Sequence, residues 1–474
     1  MIALLQGIGE GMQGGGASMG MARDLSLLAP EIAVVLTAVG ALALEMLRLP
    51  RAALPFTVVG LLVATGLTVP LLGTDTTVFS GTFRVDPLGE WAKLALLPAT
   101  ALCAVLAHPE VKDTDREGTV HALFSFTALG ALVLAGAGDL MFVVLGVLLS
   151  SLGSFALAAY PRDDRATEGA MKFLVFGSVT SAVMIFGLTY LYGSTGSTLL
   201  SELGRLEGAP LAASVGFVAV LVGLGYKAAI APFHFWAPDA YDGAPVSVAA
   251  FLSVVPKVGA IFGLVQVVRD LPVAEPFGWP LIVAALAVLS MTYGNLAALV
   301  QDDVVRLLAY SSIAQSGYFL LGVVAFGKSD LALPSLGVFA LAYAATNVGS
   351  FAVVAGYGRT LRDLAGLGRY VPWAGGAMVV FLISLVGIPP TAGFAGKLLL
   401  FGAAIGSGYA WLAVVAILNS VLSLAVYLRI VVPMYGTPKE ARAAEPPIVA
   451  VWAVCLVLVL AVGLAALGLL GTIA

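Results

Sequence analysis

The stretch Gly225-Tyr226-Lys227-Ala228-Ala229-Ile230-Ala231-Pro232-Phe233-His234-Phe235-Trp236-Ala237-Pro238-Asp239-Ala240-Tyr241 decides the fold class. It lies in a mainly apolar run, 211–242, long enough to cross a bilayer, yet Pro232 and Pro238 remove backbone donors and free carbonyls. Such a break is tolerated at membrane depth only against protein or a water-filled cavity. The stretch therefore predicts an interrupted transmembrane helix with a cation, Lys227, beside the interruption. Gly387-Ile388-Pro389-Pro390, followed by Lys397, repeats the device in the run 372–405.

The rest of the chain agrees with a membrane setting. Of 474 residues 60% are hydrophobic and 11% charged, with a mean hydropathy of +1.03; a soluble domain carries about 25% charged residues. Spans of roughly 20 apolar residues are read at 29–48, 52–72, 88–107, 119–137, 139–160, 169–193, 211–242, 246–268, 277–300, 304–326, 334–358, 372–405, 408–434 and 447–470. Continuous rather than alternating hydrophobicity excludes a transmembrane barrel. The expected fold is an all-α polytopic membrane protein of about 14 transmembrane helices.

The two interrupted spans suggest a duplication. Helices 4–8 (119–270) and 9–13 (277–434) form two five-helix units, and an odd count inverts the topology of the second relative to the first. Helices 1–3 (29–118) precede them, a poorly ordered lead-in (1–28) comes first, and helix 14 (447–474) ends the chain. Lys257 follows Lys227 by 30 residues and Arg429 follows Lys397 by 32, a further correspondence between the units.

Basic residues favour the cytoplasmic side of a membrane. Loops after odd-numbered spans hold Arg48, Arg51, Lys112, Arg116, Arg162, Arg165, Arg306, Arg359, Arg362, Arg369, Lys439 and Arg442; the other side has Arg23, Arg84, Lys93, Arg205, Arg269 and Lys328. Both termini are expected on the non-cytoplasmic side of the cell's inner (plasma) membrane. The remaining cations, Lys172, Lys227, Lys257, Lys397 and Arg429, fall inside spans, and no acidic residue lies deep in spans four to fourteen. A lysine at a helix centre costs about 2.5–3.5 kcal/mol on insertion scales, so its presence argues for use.

Lysine suits proton transfer because burial lowers its proton affinity toward neutrality, which arginine cannot match. Two lysines ~10 Å apart at an effective dielectric of ~20 repel by roughly 1.7 kcal/mol, so a proton arriving at one eases release from the next. The candidate relay is Lys172, Lys227, Lys257, His234 and Lys397. Lys172, a few residues into its span, reads equally as a snorkelling anchor. His234 reads equally as a partner for a loose carbonyl; Asp239 and Asp242 read as turn ties rather than titrating groups, and Arg429 reads as an anchor. The tract from Gln301 to Ser312 reads as a polar loop capping a helix.

Net charge is −4, which argues against nucleic acid as a partner. Cys103 and Cys455 provide no cluster for iron–sulfur or zinc, so no cofactor or metal is expected in this chain.

The run from Gly225 to Pro245, continued by Ala250-Phe251-Leu252-Ser253-Val254-Val255-Pro256-Lys257, resembles the antiporter-like membrane subunits of bacterial NADH–quinone oxidoreductase (respiratory complex I), the subunit N branch in particular. Leu307-Leu308-Ala309-Tyr310-Ser311-Ser312-Ile313 and Gly387-Ile388-Pro389-Pro390-Thr391-Ala392-Gly393-Phe394-Ala395-Gly396-Lys397 extend the resemblance. It implies fourteen helices with an inverted repeat, and a place in the membrane arm beside other antiporter-like and small membrane subunits, the lipid bilayer and the protons moved. FMN, iron–sulfur clusters and quinone would sit in partner subunits. The implied function is a translocase subunit coupling electron transfer from NADH to quinone with proton translocation through a lysine and water relay. A cation/proton antiporter subunit and a non-conducting structural subunit are the alternatives. The family usually has a glutamate in helix five, where the register here places Leu148, so the usual ion-pair partner of Lys227 is missing.

Overall fold

A computed structural model describes residues 17–112, 114, 116–272, 278–437 and 443–473. Eighteen α-helices are present among them: α1 Ala17–Leu27, α2 Ala29–Met46, α3 Ala53–Thr68, α4 Pro87–Val111, α5 Glu117–Ala135, α6 Leu140–Ala159, α7 Asp164–Thr195, α8 Pro210–Lys227, α9 Trp236–Gly243, α10 Val246–Arg269, α11 Trp279–Ala298, α12 Val304–Ala325, α13 Ala332–Tyr357, α14 Leu367–Tyr370, α15 Pro372–Val386, α16 Ala392–Gly406, α17 Ala410–Met434 and α18 Pro446–Ile473. The only sheet among the described residues is a hairpin, β1 Thr76–Val78 with β2 Phe83–Val85.

Among the described residues, twelve helical segments are long and apolar enough to cross a membrane. The expected spans seven and twelve are the two interrupted pairs, α8 with α9 and α15 with α16. The chain is thus a multi-pass, all-α membrane protein. Of the expected lead-in, residues 1–16 lie outside the described residues and Ala17–Leu27 is helical. Lys439 and Arg442, used for orientation, also lie outside them.

Sequence explains the helix limits. Asp86, Asp139, Asp163 and Asp303 precede α4, α6, α7 and α12, and each carboxylate accepts from a backbone N–H of the first turn, satisfying a donor the helix cannot. α10 forms the axis: it is buried from Val246 to Val268. α12 and α13 lie beside it and are nearly as enclosed. Glycine permits the closest approaches, as at Gly259, where a Cβ would stand 2.6 Å from that of Ala131. Outer helices present Leu36, Val39, Leu62, Val179, Val421 and Val457 outward, surface suited to lipid or a neighbouring subunit.

Candidate functional site: a row of buried lysines

The lysines at the two breaks are not in equivalent places. Lys227 is the last residue of α8, ahead of its break, whereas Lys397 stands in the second turn of α16, after its break. Lys397 is 2% exposed, and its Nζ donates to the carbonyls of Leu385 (2.7 Å) and Val386 (3.0 Å) and to Ser420 Oγ (3.0 Å). Those carbonyls are the unpaired end of α15, where the helix dipole favours a cation. Gly387 makes the arrangement possible. Its φ is +91°, which L side chains rarely adopt, and a Cβ there would lie 2.8 Å from Lys397 Cδ. The ammonium also lies 3.8 Å from the centre of the Tyr318 ring.

Lys227 is fully buried and donates to Ser151 Oγ of α6 at 3.1 Å, with the Phe173 ring centre 5.7 Å away. The freed groups of its break are taken up by neighbours: Ser316 Oγ donates to Ala228 O (2.7 Å), Trp236 Nε1 to Tyr226 O (2.8 Å), and Ala231 N–H to Ser290 Oγ (3.0 Å). Lys257, also fully buried, donates to Ser312 O (2.9 Å) and Ser312 Oγ (2.7 Å). Among the described residues no carboxylate lies within ion-pair distance of Lys227, Lys257 or Lys397.

α12 joins the three. Ser316 Oγ reaches the α8 break and also lies 3.1 Å from Ser312 O, the carbonyl that Lys257 holds. Ser311 Oγ is 2.7 Å from Tyr427 OH, to which Gln315 Nε2 donates at 3.3 Å. Gln315 Nε2 also donates to Leu385 O (3.2 Å), the acceptor of Lys397. One turn before Lys257 on the same helix, Tyr343 OH donates to Ser253 O (2.8 Å), and Asn347 Nδ2 to Ser253 Oγ (2.5 Å). The bundle is therefore polar along one internal line, through groups that can pass or accept a proton, while its rim is apolar.

The model of the family described as "NADH:quinone oxidoreductase/Mrp antiporter, TM" matches residues 137–423, which include both interrupted helices. NADH-quinone oxidoreductase subunit N of Mycobacterium sp. (strain JLS) is 42% identical over 388 residues, covering 81% of this chain and 82% of that protein. The chain belongs to the subunit N family of NADH-quinone oxidoreductases. The chain is also similar to F(420)H(2) dehydrogenase subunit N of Methanosarcina mazei, 35% identical over 94% of this chain and 96% of that one. Among solved structures, a chain of respiratory complex I from Thermus thermophilus superposes with a TM-score of 0.80 at 31% identity, covering 92% of this chain and 97% of that one. A subunit N-type chain is one component of a larger membrane translocase, and other membrane subunits are its partners.

Within that family framework the other expected site residues separate. Lys172 is not in the buried row: its side chain is 42% exposed and pairs with Glu168 (2.7 Å) and Asp239 (2.8 Å). Lys172 therefore has the carboxylate that the sequence reading did not find for it. Asp239 also binds Arg306 (2.9 Å), and Asp242 binds Arg165 and Arg359, so these aspartates tie α7, α9 and α12 together. His234 is buried, its ring 4.6 Å from that of Tyr293, and its Nδ1 has no hydrogen-bond partner among the described residues. Arg429 is the anchor it read as, bound to Asp302 (2.9 Å) and the Leu299 carbonyl; it is no counterpart of buried Lys257. Leu148 is 42% exposed on the outer face of α6, and Ser151 meets Lys227 instead.

Sequence reading missed two features. Asp303 does cap α12, as the polar-loop reading implies, but Ser311, Ser312, Gln315 and Ser316 lie inside that helix, buried. Their i, i+1, i+4, i+5 spacing marks one polar stripe on an otherwise apolar helix, and it was the available signal. Lys93, counted among the loop cations, is buried in α4.

Proposed function

We propose that this chain conducts protons within the membrane arm of an NADH:quinone oxidoreductase, through Lys227, Lys257 and Lys397 and waters lodged beside them. The single observation carrying this reading is the internal line of three buried ammonium groups held by hydroxyls and carbonyls rather than carboxylates. An ammonium so held can lose its proton without abandoning a buried counter-charge, and the hydroxyls of Ser312, Tyr427 and Ser420 remain as stepping points. His234, buried near the first break, is a further stepping point in this reading, and Lys172 is the proton-collecting group at the surface that carries the basic loops.

The driving free energy comes from outside the chain. Moving one charge through 100 mV takes about 2.3 kcal/mol, and redox chemistry with NADH, FMN, iron–sulfur clusters and quinone is assigned to partner subunits. In this reading the basic loops face the cytoplasm, the membrane is the inner (plasma) membrane, and both termini lie on its other side. The names of the relatives favour this assembly over a stand-alone antiporter.

The experiment that separates conduction from a spacer role is to replace Lys227, Lys257 and Lys397 together by methionine, which keeps their length, and to reconstitute the assembled complex. Conduction predicts a lower proton-to-electron ratio; an unchanged ratio would make the chain a spacer.

A further inference from the structure

Lys93 is unlike the lysines of the row, because it is buried with carboxylates. Two turns into α4, its Nζ is 2.7 Å from Glu90 Oε1 on the same helix and 2.8 Å from Glu31 Oε1 at the start of α2. Lys93 is 1%, Glu90 0% and Glu31 7% exposed. Two carboxylates on one ammonium leave one negative charge in excess, buried near the face where α2 begins. Glu31 Oε2 and Glu90 Oε2 are also buried without a hydrogen-bond partner among the described residues. An ionised oxygen deprived of both water and donors is strongly disfavoured. A proton on one of the two carboxyls removes the excess charge and supplies a donor at once.

Among the described residues nothing else neutralises the triad. Asp86, one turn before Glu90, is held by Arg269 (2.7 Å) and Gln266 (3.0 Å), and Arg84 is paired with Asp270. On the other helices packed against α4, Glu45, Glu117, His121 and Tyr357 belong to the opposite face, and Lys257, Tyr343 and Cys455 to the middle of the bundle. Solvent comes close. A cavity of about 300 Å³ lined by Asp75, Asp86, Leu88, Arg269 and Asp330 opens at this face, and Asp86 in its lining stands one helical turn before Glu90. The centre of the site is occupied by an ammonium, so a proton fits there and a metal cation does not.

We propose that Glu31, Lys93 and Glu90 form a proton-binding site, separate from the lysine row, whose two carboxyl groups share one proton that exchanges with solvent through the cavity over Asp86. The site stands whether or not the lysine row conducts. It is tested in the assembled complex at neutral pH by infrared difference spectroscopy of the unsubstituted protein against Glu90→Gln, in H₂O and D₂O. Removing one carboxyl leaves Glu31 and Lys93 as a balanced pair that needs no proton. The expected difference spectrum contains the carbonyl stretch of a protonated carboxylic acid, moved by D₂O. Glu31→Gln is expected to remove the same band, and it serves alone if Glu90→Gln does not assemble. Difference spectra with carboxylate bands only, and no carboxylic acid band, would identify a fully ionised structural triad and overturn the proposal.

Discussion

Gln315 and Lys397 donate to one carbonyl oxygen, that of Leu385, at 3.2 and 2.7 Å. α12 and the second interrupted helix thereby share an acceptor that carries no charge, and Gln315 continues the contact to Tyr427. Gln315→Leu keeps the volume and removes the bridge. A barrier raised by ~1.4 kcal/mol slows a step about tenfold, and a loss of that order in coupled NADH oxidation is expected, with assembly intact. Native-gel assembly and vesicle turnover measured side by side check it.

A carboxylate placed at Ser151 would face Lys227, whereas one placed at Leu148 would not. Unit charges 4 Å apart at an effective dielectric of ~20 attract by roughly 4 kcal/mol. Ser151→Asp is therefore expected to hold the proton on Lys227 and reduce coupled turnover at least ~10-fold by the usual conversion of barrier to rate. Leu148→Glu is expected to change the proton-to-electron ratio little. The reverse order in the same vesicle assay would show that the outward placement of Leu148 is wrong.

How much of this was legible follows from the kind of signal each residue gives. The breaks at Pro232 and Pro389-Pro390 are local covalent facts, and so the interrupted helices could be placed from sequence alone. Lys227, Lys257 and Lys397 stood out because a charge in an apolar run is rare, and all three are buried. Ser312, Gln315 and Ser316 did not, because serine and glutamine in a helix look alike whether they face a lysine or a neighbouring backbone. Their partners, Lys257, Leu385 and Ala228, are 55 to 88 positions away. Lys93 was misplaced by its nearness to a span end, whereas Arg429 read correctly as an anchor and only its spacing match with Lys257 fails.

Gly387→Ala tests the seat of Lys397. A non-glycine residue in the left-handed region costs roughly 1–2 kcal/mol, and the added methyl also presses on Lys397 Cδ. Lower thermal stability of the complex and displaced Lys397 function are expected together. Gly376→Ala, where a Cβ meets nothing within 4 Å, is the control expected to leave both unchanged.

Asp239→Asn removes the charge that Lys172 and Arg306 share at the surface. Because these groups are partly exposed, only a small stability loss is expected. It should shrink as salt is added, since exposed pairs are screened. A melting curve in low and high salt reads it, and a salt-independent loss would mean that the pair is better shielded than its exposure indicates.

The most direct measurement is proton uptake per electron in vesicles holding the assembled complex, with Lys227 and Lys397 replaced singly by alanine. If protons pass along the buried row, each substitution lowers the ratio while the complex still assembles. Full stoichiometry in both variants would contradict the account.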